Sequence, residues 1–294
     1  MSASTGPTGA EGWGAGGGRD ERWLVVKHGG SLGAGLGTLP ADLARLAGGG
    51  LRVALVHGGG PELSRWSGRL GIEPRWRGGL RVTDAETLEL AEMVLAGHVN
   101  RRLTAALAAA GLPAVGLAAL DGGLLELEPS APEEGLGYVA RVRGVRPALL
   151  GALAGAGFLP VVAPVGQAGG QTYNVNADHV AAALAAALRA TLVLLTDVPG
   201  VAAGGAWRTR LAPEEVRGLL ASGEASGGMR PKLEACLEAL AGGAPRVVIV
   251  DGRAPHALLR ALGGGLDGVG TELAPVGAGE PGGSGLWERE GAEG

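Results

Sequence analysis

Lysine and cysteine are both almost absent from this chain of 294 residues. Of 25 lysine and arginine residues, only Lys27 and Lys232 are lysines. The single cysteine, Cys236, excludes a disulfide within the chain and is typical of a protein from a reducing compartment. Lysine places a compact charge on a phosphate in a way that the wide guanidinium cannot. Both lysines also lie beside glycines, so they are candidates for phosphate chemistry.

Other absences narrow the class of protein. No apolar stretch reaches the roughly 18 residues that a membrane span needs, and the first residues lack the pattern of a signal peptide. The net charge is -4 and the isoelectric point is about 5.8, so no basic footprint for nucleic acid is present. We therefore expect a cytoplasmic enzyme with no membrane and no nucleic-acid partner.

The chain between two glycine-rich ends alternates strand and helix patterns. Residues 1–21 and 274–294 have no periodicity and are predicted to be disordered tails. Between them, short apolar runs alternate with Ala/Leu-rich helical stretches, which predicts βαβ units and a mainly parallel sheet. The sequence PRWRGGLRVTD predicts a hairpin, and a long helix is predicted for residues 85–110. The segments LLELE and GYVARVRGV predict antiparallel edge strands.

Two common glycine motifs occur, and neither is in its confirming context. A GxGxxG motif at residues 12–17 follows no strand, so it is not a dinucleotide fingerprint. A GxSxG motif at Gly29, Ser31 and Gly33 follows a strand, as a hydrolase nucleophile does, but only one strand precedes it. A hydrolase is thus the rival enzyme class. No Walker phosphate loop and no zinc-ligand spacing is present.

Three segments at predicted strand ends carry groups that bind phosphoryl and carboxylate oxygens. KHGGS contains Lys27 and Gly30, and HGGGP supplies Gly59 and Gly60 just before a helix. Free glycine amides and a helix N-terminus stabilise oxyanions. The third segment, YNVNAD, holds two of the three asparagines of the chain. A structural role would be enough to explain two of its residues, with Asn176 as the helix cap and Asp178 as an acid in the first turn. Asn174 has no such structural explanation.

These segments, in this order and spacing, resemble the amino acid kinase family, and in particular its members that phosphorylate N-acetyl-L-glutamate. The resemblance rests on KHGGS, VHGGGPEL, GLRVTDAET, EMVLAGHVNRRL, DGG, YNVNADHVAAALAAAL, LLTDVPGV, SGGMRPKLEA and DGRAPHALL. It implies an open, mainly parallel α/β/α sandwich with small antiparallel hairpins, over residues 22–273. It also implies an N-terminal lobe, about 22–172, for the acyl amino acid and dimerisation, and a C-terminal lobe, about 173–273, for ATP.

The resemblance further implies a reaction and its residues. ATP would phosphorylate the side-chain carboxylate of N-acetyl-L-glutamate, giving an acyl phosphate in arginine biosynthesis. Lys27 and Lys232 would neutralise the transferring phosphoryl group, and Asp178 would hold both ammonium groups. Mg²⁺ would be held by ATP oxygens and water, with no protein ligand. Oxyanions would be bound by Gly30, Gly59 and Gly60, the substrate α-carboxylate by Arg81 and Asn174, and the nucleotide by Asp197, Val198, Pro199, Gly200, Val201, Ala202, Glu224, Ala225 and Ser226.

Two alternatives share the fold. One is a kinase that acts on glutamate or aminoadipate carried on a small acidic protein, and the other is a nucleotide-binding module without activity. GLRVT, with complete HGGGP and YNVNAD segments, favours the free acetylated substrate. A module without activity would have lost one of Lys27, Asp178 or Lys232, and all three are present.

Assembly is predicted from the N-terminal composition. Arginine-inhibited hexameric members of the family carry an extra helix before the first strand, and the glycine-rich residues 1–21 form a helix poorly. We therefore expect a homodimer built on the helix of residues 85–110. The C-terminal HALLRALGGGLDGVGTEL is similar to the segment that those members use to bind arginine, so the sequence leaves the response to arginine open.

Overall fold

In the part of the chain that the structure describes, there are sixteen strands and nine α-helices, and most of them follow the alternation that the sequence predicts. The strands are β1 Trp23–His28, β2 Arg52–His57, β3 Arg75–Arg77, β4 Leu80–Val82, β5 Ala114–Ala118, β6 Leu125–Pro129, β7 Val139–Val145, β8 Leu159–Ala163, β9 Val165–Ala168, β10 Gln171–Val175, β11 Thr191–Thr196, β12 Val201–Ala203, β13 Ala206–Arg208, β14 Arg210–Leu211, β15 Val247–Asp251 and β16 Gly270–Leu273. The helices are α1 Leu39–Gly48, α2 Gly60–Leu70, α3 Ala85–Ala91, α4 Asn100–Ala109, α5 Ala148–Gly155, α6 Ala177–Ala187, α7 Pro213–Ser222, α8 Met229–Ala241 and α9 Ala257–Gly263.

This computed structural model describes residues 22–32, 35–263 and 265–274. Both predicted tails, apart from Ala274, lie outside the described residues, as do the GxGxxG motif and Gly33 of the GxSxG motif. Ala274, assigned to the C-terminal tail by its composition, is buried, and its amide donates to the carbonyl of Leu211. Ala274 therefore packs with the residues before it. Within the described residues, no helix is long and apolar enough to cross a membrane.

The central sheet has eight strands in the order β14-β16-β15-β11-β1-β2-β8-β5. All neighbours pair in parallel except β15 and β16. Side chains of β1 alternate between two apolar clusters: Val25 packs with residues of α6 and α8, and Val26 packs with residues of α1 and α9. The sheet is thus covered by helices on both faces, and the predicted α/β/α sandwich is confirmed.

The antiparallel edge strands differ in part from the prediction, whereas the predicted hairpin forms. The antiparallel pair β6 and β7 forms as expected, but it belongs to a separate four-stranded sheet, β6-β7-β10-β9, and not to an edge of the central sheet. The hairpin β3-β4 turns at Gly78 and Gly79, which have φ values of +58° and +82°. This turn needs residues that tolerate positive φ, which explains the Gly-Gly pair.

The long helix predicted for residues 85–110 is continuous but not uniform. Its middle part, Glu92–Val99, is a π-helix between α3 and α4. Glu92 accepts a hydrogen bond from Thr172, and His98 lies 2.9 Å from a carboxylate oxygen of Glu62. The π-helix therefore changes the direction of side chains along one helix, so that its two ends reach different elements.

Candidate active site

An ion cluster joins the two lysines of the chain. Lys27, next to last in β1, places its ammonium 2.9 Å from Oδ1 of Asp178 at the start of α6. Lys232, in the first turns of α8, donates to Oδ1 and Oδ2 of the same carboxylate at 3.1 and 3.2 Å. All three residues are buried. Segments far apart in the sequence thus bring together the three predicted catalytic residues.

Burial and charge act against each other in this cluster. Burial alone would raise the pKa of Asp178, but the ammonium groups of Lys27 and Lys232 outweigh it and hold that pKa below its usual range. Burial lowers the pKa of Lys27, and the neighbouring Lys232 lowers it too, while Asp178 raises it in part. Asp178 is therefore the ionised group that keeps two like charges close together in a dry environment.

Two glycine segments meet beside this cluster. A methyl group at Gly30 would lie 2.8 Å from the amide nitrogen of Gly59 and 3.1 Å from that of Gly60. Gly59 is the N-cap of α2 and Gly60 is its first residue, where helix geometry leaves amides without a partner in the helix. The three predicted oxyanion-binding glycines are therefore adjacent, at the positive end of a helix dipole. Any side chain at Gly30 would fill this space.

Arg81, on β4, has one guanidinium nitrogen without a partner. Nη2 donates to Ser64 Oγ at 2.5 Å and to the Gly60 carbonyl at 3.3 Å. Nη1 is buried and has no partner in the described structure. The guanidinium lies 4.5 Å from the ring of Trp76, and burial lowers the Arg81 pKa. A buried donor without an acceptor is costly, so this nitrogen is suited to an anionic ligand.

The two asparagines of YNVNAD have different surroundings. Asn176 is the N-cap of α6, and its Oδ1 accepts from the amides of Asp178 and His179, at 2.8 and 3.3 Å. Its structural explanation is therefore correct. Asn174 lies on β10, and its side-chain amide donates to Thr83 Oγ1 at 3.1 Å. Its carbonyl oxygen caps no helix, in agreement with a ligand-binding role.

One cavity collects most of the predicted substrate and catalytic residues. It has a volume of about 190 Å³. Trp76 of the β3-β4 hairpin and Asp178 both line it, and Asp178 accepts hydrogen bonds from Lys232. The predicted residues that line the cavity are Lys27, Gly30, Gly59, Gly60, Arg81, Asn174 and Asp178.

The two predicted nucleotide segments touch each other. Glu224 Oε1 accepts from the amide of Gly204, in the turn of the β12-β13 hairpin, at 2.6 Å. Val201 and Ala225 have buried side chains and could contact a ligand only through their backbone. Asp197 is exposed just after β11, and its charge offsets a small part of the lowering of the Lys27 pKa that burial causes. The remaining predicted residues, Val198, Pro199, Gly200, Ala202 and Ser226, lie in the same two segments.

Several residues of this site were not predicted from the sequence. Ser64 and Thr83 hold Arg81 and Asn174, and Trp76 stacks on Arg81. Ser64 and Thr83 carry no sequence signal, because short hydroxyl side chains serve many roles. Trp76 does carry a sequence signal, because it is a large aromatic residue in a polar hairpin of a chain with only 3% aromatic residues.

The fold, the lysine-carboxylate cluster and the glycine segments define a phosphoryl-transfer class of site, and sequence comparison agrees. The amino acid kinase family matches residues 22–251, and the chain belongs to this family. Its relatives include acetylglutamate kinases. The one from Rubrobacter xylanophilus is 50% identical, with 87% of this chain and 99% of the relative covered. The one from Symbiobacterium thermophilum is 46% identical, with 80% of this chain and 86% of the relative covered.

A solved structure supports the same assignment of the fold. It is N-acetylglutamate synthase from Neisseria gonorrhoeae, complexed with coenzyme A and N-acetyl-glutamate. The two structures superpose with a TM-score of 0.74 at 31% identity, over 86% of this chain. This chain spans 60% of the length of that synthase.

Proposed function

We propose that this chain transfers the γ-phosphoryl group of ATP to the side-chain carboxylate of N-acetyl-L-glutamate, giving N-acetyl-L-glutamyl 5-phosphate in arginine biosynthesis. The observation that carries the proposal is the Lys27-Asp178-Lys232 cluster beside the glycine amides. Relatives named acetylglutamate kinase, over most of the chain, support the choice of substrate.

Charge neutralisation is the main task in this reaction. Phosphoryl transfer needs positioning and electrostatic stabilisation more than covalent chemistry. Lys27 and Lys232 supply two ammonium groups that Asp178 holds in place. The amides of Gly30, Gly59 and Gly60 would bind oxygens of the transferring group, because they lie together in the same cavity. The attacking carboxylate would thus meet the phosphorus between two lysines.

Arg81 and Asn174 would bind the other end of the acceptor. Arg81 lines the same cavity as Lys27 and its buried Nη1 lacks a partner in the described structure, so the guanidinium is suited to pair with the α-carboxylate. The α-carboxylate would be fixed there, and the side-chain carboxylate would extend toward Lys27. The guanidinium carbon of Arg81 also lies over the ring of Trp76, 4.5 Å from its centroid.

The nucleotide would lie along the segments that follow β11 and α7. Mg²⁺ would be held by the triphosphate and water, because the carboxylate of the cavity, Asp178, already pairs with both lysines through its two oxygens. In the described part of the chain, no group of three or more metal-ligating side chains occurs. We further propose a cytoplasmic homodimer with its contact along the helix of residues 85–110.

Acyl phosphate trapping tests this function. The protein is incubated with ATP, Mg²⁺, hydroxylamine and N-acetyl-L-glutamate, and the hydroxamate is measured by its iron complex. A parallel reaction contains free glutamate. Hydroxamate from the acetylated substrate is the expected result, and Asp178→Asn is the inactive control. Product from glutamate alone, or none from either substrate, would contradict the proposal.

A further inference from the structure

The hairpin β3-β4 touches the segment that carries Lys232. A methyl group at Gly79 would lie 2.8 Å from the carbonyl oxygen of Gly227, and 3.2 and 3.4 Å from Cδ and Cγ of Pro231. Pro231 is buried in the first turn of α8, directly before Lys232. Only a residue without a side chain permits this approach. Residues far apart in the chain thus pack backbone against backbone.

The same hairpin carries the groups predicted to bind the acceptor. Arg81 lies two residues after Gly79, and Trp76 stacks on it from the other strand. Arg77, also on this hairpin, donates from Nη1 to the carbonyl of Glu134 at 2.9 Å. The hairpin therefore connects the acceptor pocket to the start of α8 through the contact at Gly79.

We infer that Gly79 is a positioning residue whose contact with Gly227 and Pro231 makes the binding of N-acetyl-L-glutamate and the binding of ATP favour each other. The inference rests on the proposed function. An acceptor bound to Arg81 fixes the hairpin, and the hairpin then fixes the first turn of α8 with Lys232. Coupling between two ligands requires such an element that both ligands order, and it acts equally in both directions.

Two neighbouring glycines provide a matched pair of variants. Both Gly78 and Gly79 have positive φ, which asparagine tolerates better than other non-glycine residues. At Gly78 a methyl group meets no described atom within 4 Å. Gly79→Asn therefore obstructs the contact with α8, and Gly78→Asn does not. Melting temperatures show whether each variant is folded.

The measurement is the Kd of N-acetyl-L-glutamate by calorimetry, with and without Mg²⁺ and a non-hydrolysable ATP analogue. We expect the analogue to lower this Kd at least about 5-fold in the wild type and in Gly78→Asn, the lower end of typical couplings. In Gly79→Asn the ratio should fall below about 2-fold. The reciprocal titration, with the analogue as the varied ligand, should give the same ratios.

A second pair of variants removes the contact instead of obstructing it. Pro231→Ala deletes the ring that Gly79 faces, and Pro213→Ala makes the same change in the first turn of α7. We expect the ratio to fall in Pro231→Ala alone, and this pair decides the question if Gly79→Asn does not fold.

The outcomes separate this inference from the proposed function. A wild-type ratio of one, or unchanged ratios in the variants that fold, would overturn the inference while phosphorylation stands. Failure of the wild type to bind N-acetyl-L-glutamate at all would overturn the proposed function and the inference with it.

Discussion

Lys27 and Lys232 share one carboxylate oxygen, Oδ1 of Asp178, at 2.9 and 3.1 Å. Two ammonium groups are thus held near each other in a buried site before any substrate binds. Such preorganised charge stabilises a transition state without the cost of reorganisation during the reaction.

Replacing either lysine by arginine tests this arrangement. Lys27→Arg and Lys232→Arg retain the charge, but the planar guanidinium cannot place one compact donor at the same oxygen. We expect kcat to fall about 10² to 10³-fold in each variant. Arg217→Lys, at an exposed ion pair with Glu214, is the control and should leave kcat unchanged. Steady-state rates near the wild-type value in both lysine variants would refute the mechanism.

Arg81→Ala tests the acceptor pocket. Loss of a charge-assisted contact of ~1.5 to 3 kcal/mol should raise KM for N-acetyl-L-glutamate at least about tenfold. KM for ATP should change little. Arg77→Ala is the control, because Arg77 lies on the same hairpin but its Nη1 donates to the carbonyl of Glu134. It shows whether a rise in KM comes from loss of the Arg81 guanidinium or from disturbance of the hairpin. An increase confined to KM for ATP would mean that Arg81 serves the nucleotide.

Asp178→Asn should affect stability as well as activity. The variant leaves two buried ammonium groups without their counter-charge, and breaking a buried pair in this way costs about 3 to 5 kcal/mol. Urea unfolding at neutral pH measures this loss. Glu214→Gln, at an exposed pair with Arg217, is the comparison and should cost less than about 1 kcal/mol. Equal losses in the two variants would argue against a special role of the cluster.

Buried histidines should make the protein sensitive to acid. Burial, with help from Lys27 and His57, lowers the pKa of His28 from 6.5 to about 4. Between these values the unfolded chain binds a proton that the folded chain does not, so the free energy of unfolding falls as the pH falls. His28→Gln should flatten this dependence by about 2 to 3 kcal/mol between pH 7 and pH 4.5. Parallel curves of unfolding free energy against pH, for wild type and variant, would contradict the assignment.

The proposed dimer can be tested on the π-helix. Met93 lies on this segment and is 55% exposed. If the helix of residues 85–110 forms the contact, Met93→Glu should convert the dimer to a monomer in light scattering. Trp207→Glu, at an exposed residue of the β12-β13 hairpin, should leave the mass unchanged. A wild-type monomer or hexamer would contradict the prediction.

The sequence predicts the fold where periodicity is strong. The apolar run from Trp23 forms β1, and the helical patterns of residues 213–222 and 229–241 form α7 and α8, because buried strands and amphipathic helices have clear patterns. Strands β9 and β10 were missed, since the sequence from Val165 to Val175 mixes glycine and polar residues. The π-helix could not be predicted either, because eight residues of Glu92–Val99 are too few to separate its period from that of an α-helix.

The candidate site was predictable as residue types but not as contacts. Lysines in a chain rich in arginine, and asparagines in a chain that has three, identified Lys27, Lys232 and Asn174. The packing of Gly79 on Gly227 joins segments about 150 residues apart, and it depends on the three-dimensional structure alone. Local sequence patterns do not show which residues of two distant segments come into contact.

The scarcity of lysine also has a chemical consequence. Apart from the N-terminal amine, the primary amines of this chain are those of Lys27 and Lys232, each at most 7% exposed. An amine-reactive ester should therefore acylate these two lysines only when the cavity opens. Peptide mass spectrometry of the acylated protein would then read the opening of this one site, without the background of surface labelling that most proteins show.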